Sequence, residues 1–414
     1  MNKKAWIAGL ALSTALVTSS ALATELEVTH WWTSGGEAVA VKVFADAATA
    51  AGITWKDGAI AGGSNARPII ISRISGGDPM GATQLNTGRD AEDLIKAGLM
   101  TDLTSVAEKE GWKDMIRPGK LLEPCMFEGK VYCVPVNIHS WQWMWLNRKV
   151  FESNGLPVPA NWNEFLAAAP KLKELGITPL AIGGEPWQLS GMAGVFQVAI
   201  GGVDLYRKIN VEKSAEAAAG PEMTKVLEAI ASARGLVDNG YVGRAWNDAT
   251  SMVITGKAAA QIMGDWAQGE FSLAGQVAGK DYDCLPGLGL NPVLDTGGDA
   301  FFFPKPKGDD PAKVEAQLKM AALLASKDVQ VGFNLKKGSL PIRGDINMDA
   351  ANSCMKKGLE ILKNPENVLP SGEQTFSSDV QGQIEDFYVE FFNTPEMTVA
   401  DAQKRFAEII ASAK

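Results

Sequence analysis

From Glu25 onward the chain alternates between two hydrophobic periods, and this alternation restricts the fold more than any single residue does. "LEVTHWW" repeats every second residue and predicts a strand. "GEAVAVKVFADAATAAG" places Val39, Val43, Phe44 and Ala47 at helical spacing and stops at Gly52, and "ITWKDGAI" returns to the strand pattern. "RPIIISRISGG" then predicts a helix, "GATQLN" a strand and "RDAEDLIKAGLM" a helix. Parallel strands need crossover connections, so this βαβαβ order predicts an α/β fold with a parallel sheet covered by helices on both faces.

A second set of elements follows Pro135. "NWNEFLAAAPKLKELG" opens with Asn161 as a helix N-cap and Glu164 in the capping-box position, and "TPLAIGG" reads as a strand ending in glycines. The stretch from Val211 to Asn239 is mostly helical. "AAAQIMGDWAQGEF" is an apolar strand delivering Gly264-Asp265-Trp266 to its end, "DAFFFPK" is another strand, and Gln381 to Lys414 is amphipathic helix. No Pro/Gly-rich linker divides the chain. With 414 residues, 46% of them hydrophobic, two cores can form. Two α/β lobes that exchange strands through several crossings satisfy the pattern.

The N-terminus pairs Lys3-Lys4 with an apolar run from Ala5 to Val17 and a small-x-small end at Ala21-Leu22-Ala23. Residues 1–23 are therefore expected to be a signal peptide, with the mature chain starting at Thr24. No cysteine follows the cleavage site, which favours a free periplasmic protein over a lipid-anchored one. Removing two lysines takes the net charge from -9 to -11. That acidity argues against nucleic acid and anionic membranes as partners and favours a neutral ligand or a protein. Four cysteines in an oxidising compartment read as two disulfides, with three pairings possible. Cys125 and Cys133 flank "MFEGKVY", whose Glu128-Gly129 predicts a hairpin turn; proximity favours Cys125–Cys133 and leaves Cys284–Cys354. No Cys-x-x-Cys unit supports a metal site.

Enzyme signatures are scarce. Phosphate-loop, dinucleotide and nucleophile-elbow motifs are absent, and two histidines, His30 and His139, leave little for a His-based metal site or triad. A secreted glycosidase with paired carboxylates stays open, since any two of the 48 acidic residues can meet in space. Tryptophan is the conspicuous resource: Trp31-Trp32 before a glycine pair, Trp187 in "GGEPWQ" and Trp266 in "GDWAQGE". Indole faces suit the C–H faces of pyranose rings. Core packing is the default for a lone Trp, but a strand sends neighbours to opposite faces, so one of Trp31 and Trp32 must leave the core. Trp141, Trp143 and Trp145 alternate on one face and are assigned to packing. Asp299 and Lys337, taken singly, read equally well as turn or surface residues.

The block "FEGKVYCVPVNIHSWQWMWLNRKVFESNGLPVPANWNEFLAAAPKLKELGITPLAIGG" resembles the extracellular solute-binding proteins of bacterial sugar ABC importers. "HWWTSGGEA", "DWAQGEF", "GGDAFFFPK" and "KGSLPIR" resemble its glucose/mannose-binding branch. The resemblance implies a two-lobed periplasmic binding protein fold with strand-exchanged lobes and an interlobe ligand cleft. Residues 24–136 plus about 285–338 would form one lobe, and 137–284 plus about 339–414 the other. It implies no catalysis and no cofactor. The implied partners are a mono- or short oligosaccharide and ABC transporter permease subunits, with the protein a monomer. The implied sugar contacts are Trp31, Trp32, Glu37, Trp266, Asp299 and Lys337, with His139 as a neighbour; Trp187 joins the candidates from its place beside glycines. Asn86, followed by Arg89, stands where the branch has a lysine, and Gln374 lies where some members have a late histidine. On this reading Asp299 accepts two sugar hydroxyls, and Asp299→Asn costs affinity while leaving the sugar-free protein's melting temperature nearly unchanged.

Overall fold

The computed structural model describes residues 23–87, 91–308 and 310–413. Apart from Ala23, the expected signal peptide lies outside the described residues, and so does Arg89. Thirteen strands are described: β1 (Thr24–His30), β2 (Ile53–Ala59), β3 (Ala82–Asn86), β4 (Met126–Phe127), β5 (Lys130–Val131), β6 (Cys133–Pro135), β7 (Trp143–Asn147), β8 (Thr178–Ala181), β9 (Ala258–Ile262), β10 (Tyr282–Pro286), β11 (Leu294–Thr296), β12 (Asp299–Phe302) and β13 (Val368–Pro370).

The first lobe is built on a sheet of order β2-β1-β3-β12-β6. The predicted βαβαβ unit supplies its parallel half, β2, β1 and β3, joined by the helices Gly35–Ala50 and Gly63–Ser75. β12 arrives from much later in the chain and inserts antiparallel between β3 and β6. This is a departure from an all-parallel sheet, and strand exchange is its cause. The second lobe has the order β10-β7-β9-β8, with only β8 and β9 parallel. Leu26, Val28, Phe44 and Phe301 lie in the first core, and Met144, Phe165, Phe196 and Phe387 in the second.

The chain passes between the sheets three times. It leaves β6 for β7, leaves β10 for β12, and runs from the helix Lys327–Lys337, which packs on the Gly35–Ala50 helix, to the helix Ser353–Leu362, which packs on β10. The first and third passages lie side by side through an antiparallel bridge of Ile138 with Leu340, while β11 on the second pairs with β13.

The predicted N-cap is present: Asn161 Oδ1 accepts from the Glu164 N–H at the start of Trp162–Glu174. Both expected disulfides are present, Cys125–Cys133 and Cys284–Cys354. Glu128 and Gly129 each adopt positive φ, the geometry of the tight β4–β5 hairpin turn. Two elements differ from expectation. The C-terminal amphipathic stretch is two helices, Ser378–Asn393 and Val399–Ser412, broken where Pro395 cannot continue the first. "RDAEDLIKAGLM" forms only the short helix Glu92–Lys96 among the described residues, since Gly98 at φ 72° stops it.

Candidate functional site

A cavity of about 490 Å³ opens between the lobes. Its second-lobe wall is aromatic. Trp141, Trp187 and Trp266 lie together, with ring centroids 5.0 Å apart for Trp141–Trp266, 5.5 Å for Trp141–Trp187 and 6.3 Å for Trp187–Trp266. Two glycines make this wall possible. A Cβ on Gly191 would sit 2.3 Å from the Trp141 ring, and one on Gly264 would sit 2.0 Å from the Trp266 ring. Trp141 corrects the sequence reading: it precedes β7 and lines the cavity, whereas Trp143 and Trp145 are buried packing residues as expected.

The tryptophan pair divides as the alternation rule requires, although both residues lie just past the end of β1. Trp31 is half-buried, lines the cavity and carries the Arg67 guanidinium 5.2 Å from its ring centroid. Trp32 packs among Phe44, Phe301 and Phe333 at 5.4–6.1 Å. At 2% exposure it borders the cavity but has no indole face to offer a ligand. Of the pair, Trp31 is the one that offers an indole face to the cavity.

Glu37 and Lys337 form a buried ion pair of 2.7 Å behind this floor. Glu37 closes a capping box with Ser34 at the start of Gly35–Ala50, and Lys337 is the last residue of Lys327–Lys337 before Gly338, whose φ of 87° ends that helix. Each charge also matches the helix dipole at its end. The pair borders the cavity and fixes two helix ends together.

Asp299 opens β12 opposite Asn86 in β3, so it is a strand residue. Its Oδ1 accepts from Gln84 Nε2 (2.7 Å); its Oδ2 accepts from Asn137 Nδ2 (2.8 Å) and from His139 Nδ1 (3.0 Å). A carboxylate offers about four lone-pair sites, so three protein donors leave room for one more bond. The expected acceptance of two ligand hydroxyls is therefore corrected: Asp299 is first the anchor of His139. Burial alone would raise the Asp299 pKa, but the charge and hydrogen bond of His139, with Lys337 and Asn137, hold it well below the usual carboxylate range.

His139 is the counterpart. Burial works against its charge, yet the adjacent Asp299 carboxylate and its hydrogen bond raise the imidazole to about 8. His30, whose Nε2 meets Asp57 at 2.7 Å, moves the other way because burial dominates. With two histidines in the chain, the expected proton NMR titration has two imidazole signals. One should titrate near 8 and one below 6.5; two coincident curves near 6.5 would contradict the His139–Asp299 contact. Asp295, which accepts from Ser140 Oγ, the Trp141 N–H and Gln142 Nε2, is raised by burial that these bonds only partly offset.

Across the cavity, Glu373 binds the first lobe. Its Oε2 accepts from Asn86 Nδ2, and its Oε1 lies 3.6 Å from Arg67. Gln374 donates to Thr87 Oγ1 (2.8 Å) and accepts from Thr296, so it joins the lobes behind the cavity wall while Glu373 lines it. Of the nine residues expected at the site, the structure brings Trp31, Trp32, Glu37, Asn86, His139, Trp187, Trp266, Asp299 and Lys337 to one cavity. Sequence reasoning missed Arg67, Trp141, Trp246, Ser371 and Glu373 there. In "SGEQTF" the sequence points to Gln374, whereas it is the neighbouring Glu373 that lines the cavity.

Comparison with known proteins gives this cavity its context. A "Probable sugar-binding periplasmic protein" of Brucella suis is 36% identical over 396 residues, covering 94% of this chain and 92% of its own. One of Rhizobium meliloti is 37% identical over 347 residues, 83% of this chain and 82% of its own. Among solved structures, the bacterial solute receptor AcbH, described as having an exclusive preference for β-D-galactopyranose, superposes with a TM-score of 0.78 at 20% identity, covering 94% of this chain and 99% of that one. A maltose-bound MalE3 of T. maritima superposes at 0.75 with 18% identity, over 94% of this chain and 100% of that one. These structures share the two-lobed fold. Residues 32–331 match the family model of bacterial extracellular solute-binding proteins, and the chain belongs to that family of binding proteins, not enzymes.

Proposed function

We propose that the protein is the periplasmic sugar receptor of an ABC importer, closing its lobes on a mono- or short oligosaccharide and presenting it to the membrane permease. The observation that carries this reading is the interlobe cavity walled by the indoles of Trp31, Trp141, Trp187 and Trp266, with amide and carboxylate groups between them. Its 490 Å³ lies in the range of small-molecule sites, about 300–1,000 Å³. Flat aromatic faces with fixed polar groups suit a ring that carries C–H faces and equatorial hydroxyls. The sugar-binding descriptions of the Brucella and Rhizobium relatives support the same class.

Further parts of the proposal are export by residues 1–23, a monomer in solution, and a division into residues 24–136 plus about 285–338 and 137–284 plus about 339–414. The three passages between the sheets, through 136–142, after Pro286 and through Ser339-Leu340-Pro341, serve as the hinge. Among the described residues, no helix is long and apolar enough to cross a membrane.

A thermal-shift screen over a sugar panel tests the reading. A ligand at 100 times its Kd should add about 2.7 kcal/mol to stability. Stabilisation by amino acids or peptides, with none by any sugar, would overturn the substrate class. Trp187→Ala should then weaken the best sugar by about 10- to 100-fold, or roughly 1.4–2.8 kcal/mol, because it removes one face of the aromatic wall. Trp187 is half-buried, so the sugar-free melting temperature should change little. Equal binding by the variant in calorimetry would move the sugar away from this wall.

A further inference from the structure

One buried hydroxyl in the cavity wall has no partner among the described residues. Ser371 is 7% exposed and lines the cavity, and its Oγ makes no hydrogen bond. It immediately precedes the helical turn Gly372–Thr375, the position where serine ordinarily caps, yet it caps none of that turn's N–H groups. Native proteins seldom leave a buried hydroxyl unpaired, so an external partner is the natural explanation.

Two further polar atoms face the same spot. A Cβ built on Gly297 would lie 3.3 Å from Ser371 Oγ, 3.3 Å from His139 Nε2 and 3.3 Å from Glu373 Oε2. The three atoms thus ring one side of Gly297, which itself lines the cavity. Gly297 is not among the residues with positive φ, so its backbone does not demand glycine. What a side chain would take away is the space between the three polar atoms.

Their chemistry selects what enters. His139 gives its Nδ1–H to the Asp299 carboxylate, and that carboxylate keeps the ring protonated at neutral pH, so Nε2–H is a second donor. Glu373 Oε2 is an acceptor, oriented from the opposite lobe by Asn86. Ser371 Oγ serves in either sense. A ligand atom here must accept from His139 and donate to Glu373. A hydroxyl does both; an ether or carbonyl oxygen only accepts, and an ammonium only donates.

We propose that Ser371, His139 and Glu373 form a cradle at Gly297 for a single ligand hydroxyl, and that by fixing its direction the cradle decides which epimer of a sugar the cleft accepts. The proposal rests on the sugar-binding reading of the cavity and adds the group that sets specificity. Asp299 takes part only as a positioning residue, through His139.

Calorimetry with D-glucose, D-mannose, D-galactose, D-xylose and maltose, on the native chain and on Gly297→Ala and Ser371→Ala, tests it. Gly297→Ala should weaken the best-bound sugar by about 30-fold or more, because the methyl stands where the hydroxyl must approach. Ser371→Ala should weaken it by about 5- to 10-fold, the scale of one hydrogen bond. It should also narrow the affinity ratio between that sugar and its next-best epimer by a similar factor. Uniform loss for every sugar with the ratio intact, or unchanged affinity in both variants, overturns the cradle and leaves the sugar reading standing. Failure of all five sugars to bind the native chain overturns both.

Discussion

Asp299→Asn is expected to destabilise the sugar-free protein by about 3–5 kcal/mol, the range for a buried charge pair that loses one partner. The carboxylate accepts from Gln84, Asn137 and His139 together, and an amide cannot satisfy all three. With its nitrogen toward Gln84, two amide donors face each other. Gln84 cannot simply flip, because its Oε1 already accepts from the Trp31 N–H at 3.0 Å. With the nitrogen on the other side it confronts Asn137 and His139, and Asn137 Oδ1 is likewise committed, to the Asp299 N–H at 3.0 Å. Either orientation strands a buried donor. The sequence alone suggested that affinity would fall while stability held; the structure predicts that both fall, because the same contacts hold Trp31 and His139 in the cavity wall.

The pH dependence carries the sign of the pair. His139 is raised to about 8, so its contribution is complete below about 6.5 and is lost as the pH rises through 8. The depressed Asp299 contributes above its ordinary value near 3.9 and loses that contribution only in stronger acid. Native stability from this pair should therefore decline between pH 6.5 and 8. Asp299→Asn should abolish that decline and drop the His139 titration, since burial is then the main influence left. Urea midpoints at pH 6 and pH 8 with NMR on both proteins would show it. A variant within 1 kcal/mol of native and an unmoved His139 signal would mean that the carboxylate is not bound as described.

The parts of the fold readable from sequence were those set by local pattern. The period-2 and period-3.6 alternation from Glu25 to Asn86 located β1, β2 and β3 and their helices, and the Glu128-Gly129 turn brought Cys125 to Cys133. The antiparallel insertion of β12 between β3 and β6 depends on pairing across some two hundred residues, which no local period encodes. The site divided along the same line. Trp31, Trp187 and Trp266 stood out because each sits near glycines at the end of an element, where an indole can face a cleft as well as a core. Trp141 did not, because it shares a two-residue alternation with the buried Trp143 and Trp145 and differs only in preceding the strand. Arg67 and Glu373 meet at the cleft from elements three hundred residues apart, each of them ordinary as sequence. The resemblance named Glu37, Asp299 and Lys337 correctly as cavity residues but gave no view of their protein partners, which turn out to occupy most of their bonding capacity.

Removing the Cys284–Cys354 disulfide should cost about 4 kcal/mol, against about 2.5 kcal/mol for Cys125–Cys133, because loop-closure entropy grows with the separations of 70 and 8 residues. Its place adds a second consequence. Cys284 lies in β10, at the edge of the second sheet, and Cys354 at the start of Ser353–Leu362, the first helix after the chain's last passage between lobes. Lys357 reinforces the staple by donating to the Cys284 carbonyl (2.7 Å) and to Asp283 (3.0 Å). Gly358 on the same helix lies against Leu340, the residue whose bridge to Ile138 ties the first and third passages together. The disulfide therefore ties the far end of the third passage between the lobes to the second sheet. In the double variant Cys284→Ala/Cys354→Ala, the denaturation midpoint should fall by more than in Cys125→Ala/Cys133→Ala. Hydrogen exchange at 338–352 should also rise in the first variant alone, since only there does this passage lose its tie to the second sheet. Non-reducing peptide mapping that found Cys125 joined to Cys354, or equal losses in the two double variants, would break the argument at its first step.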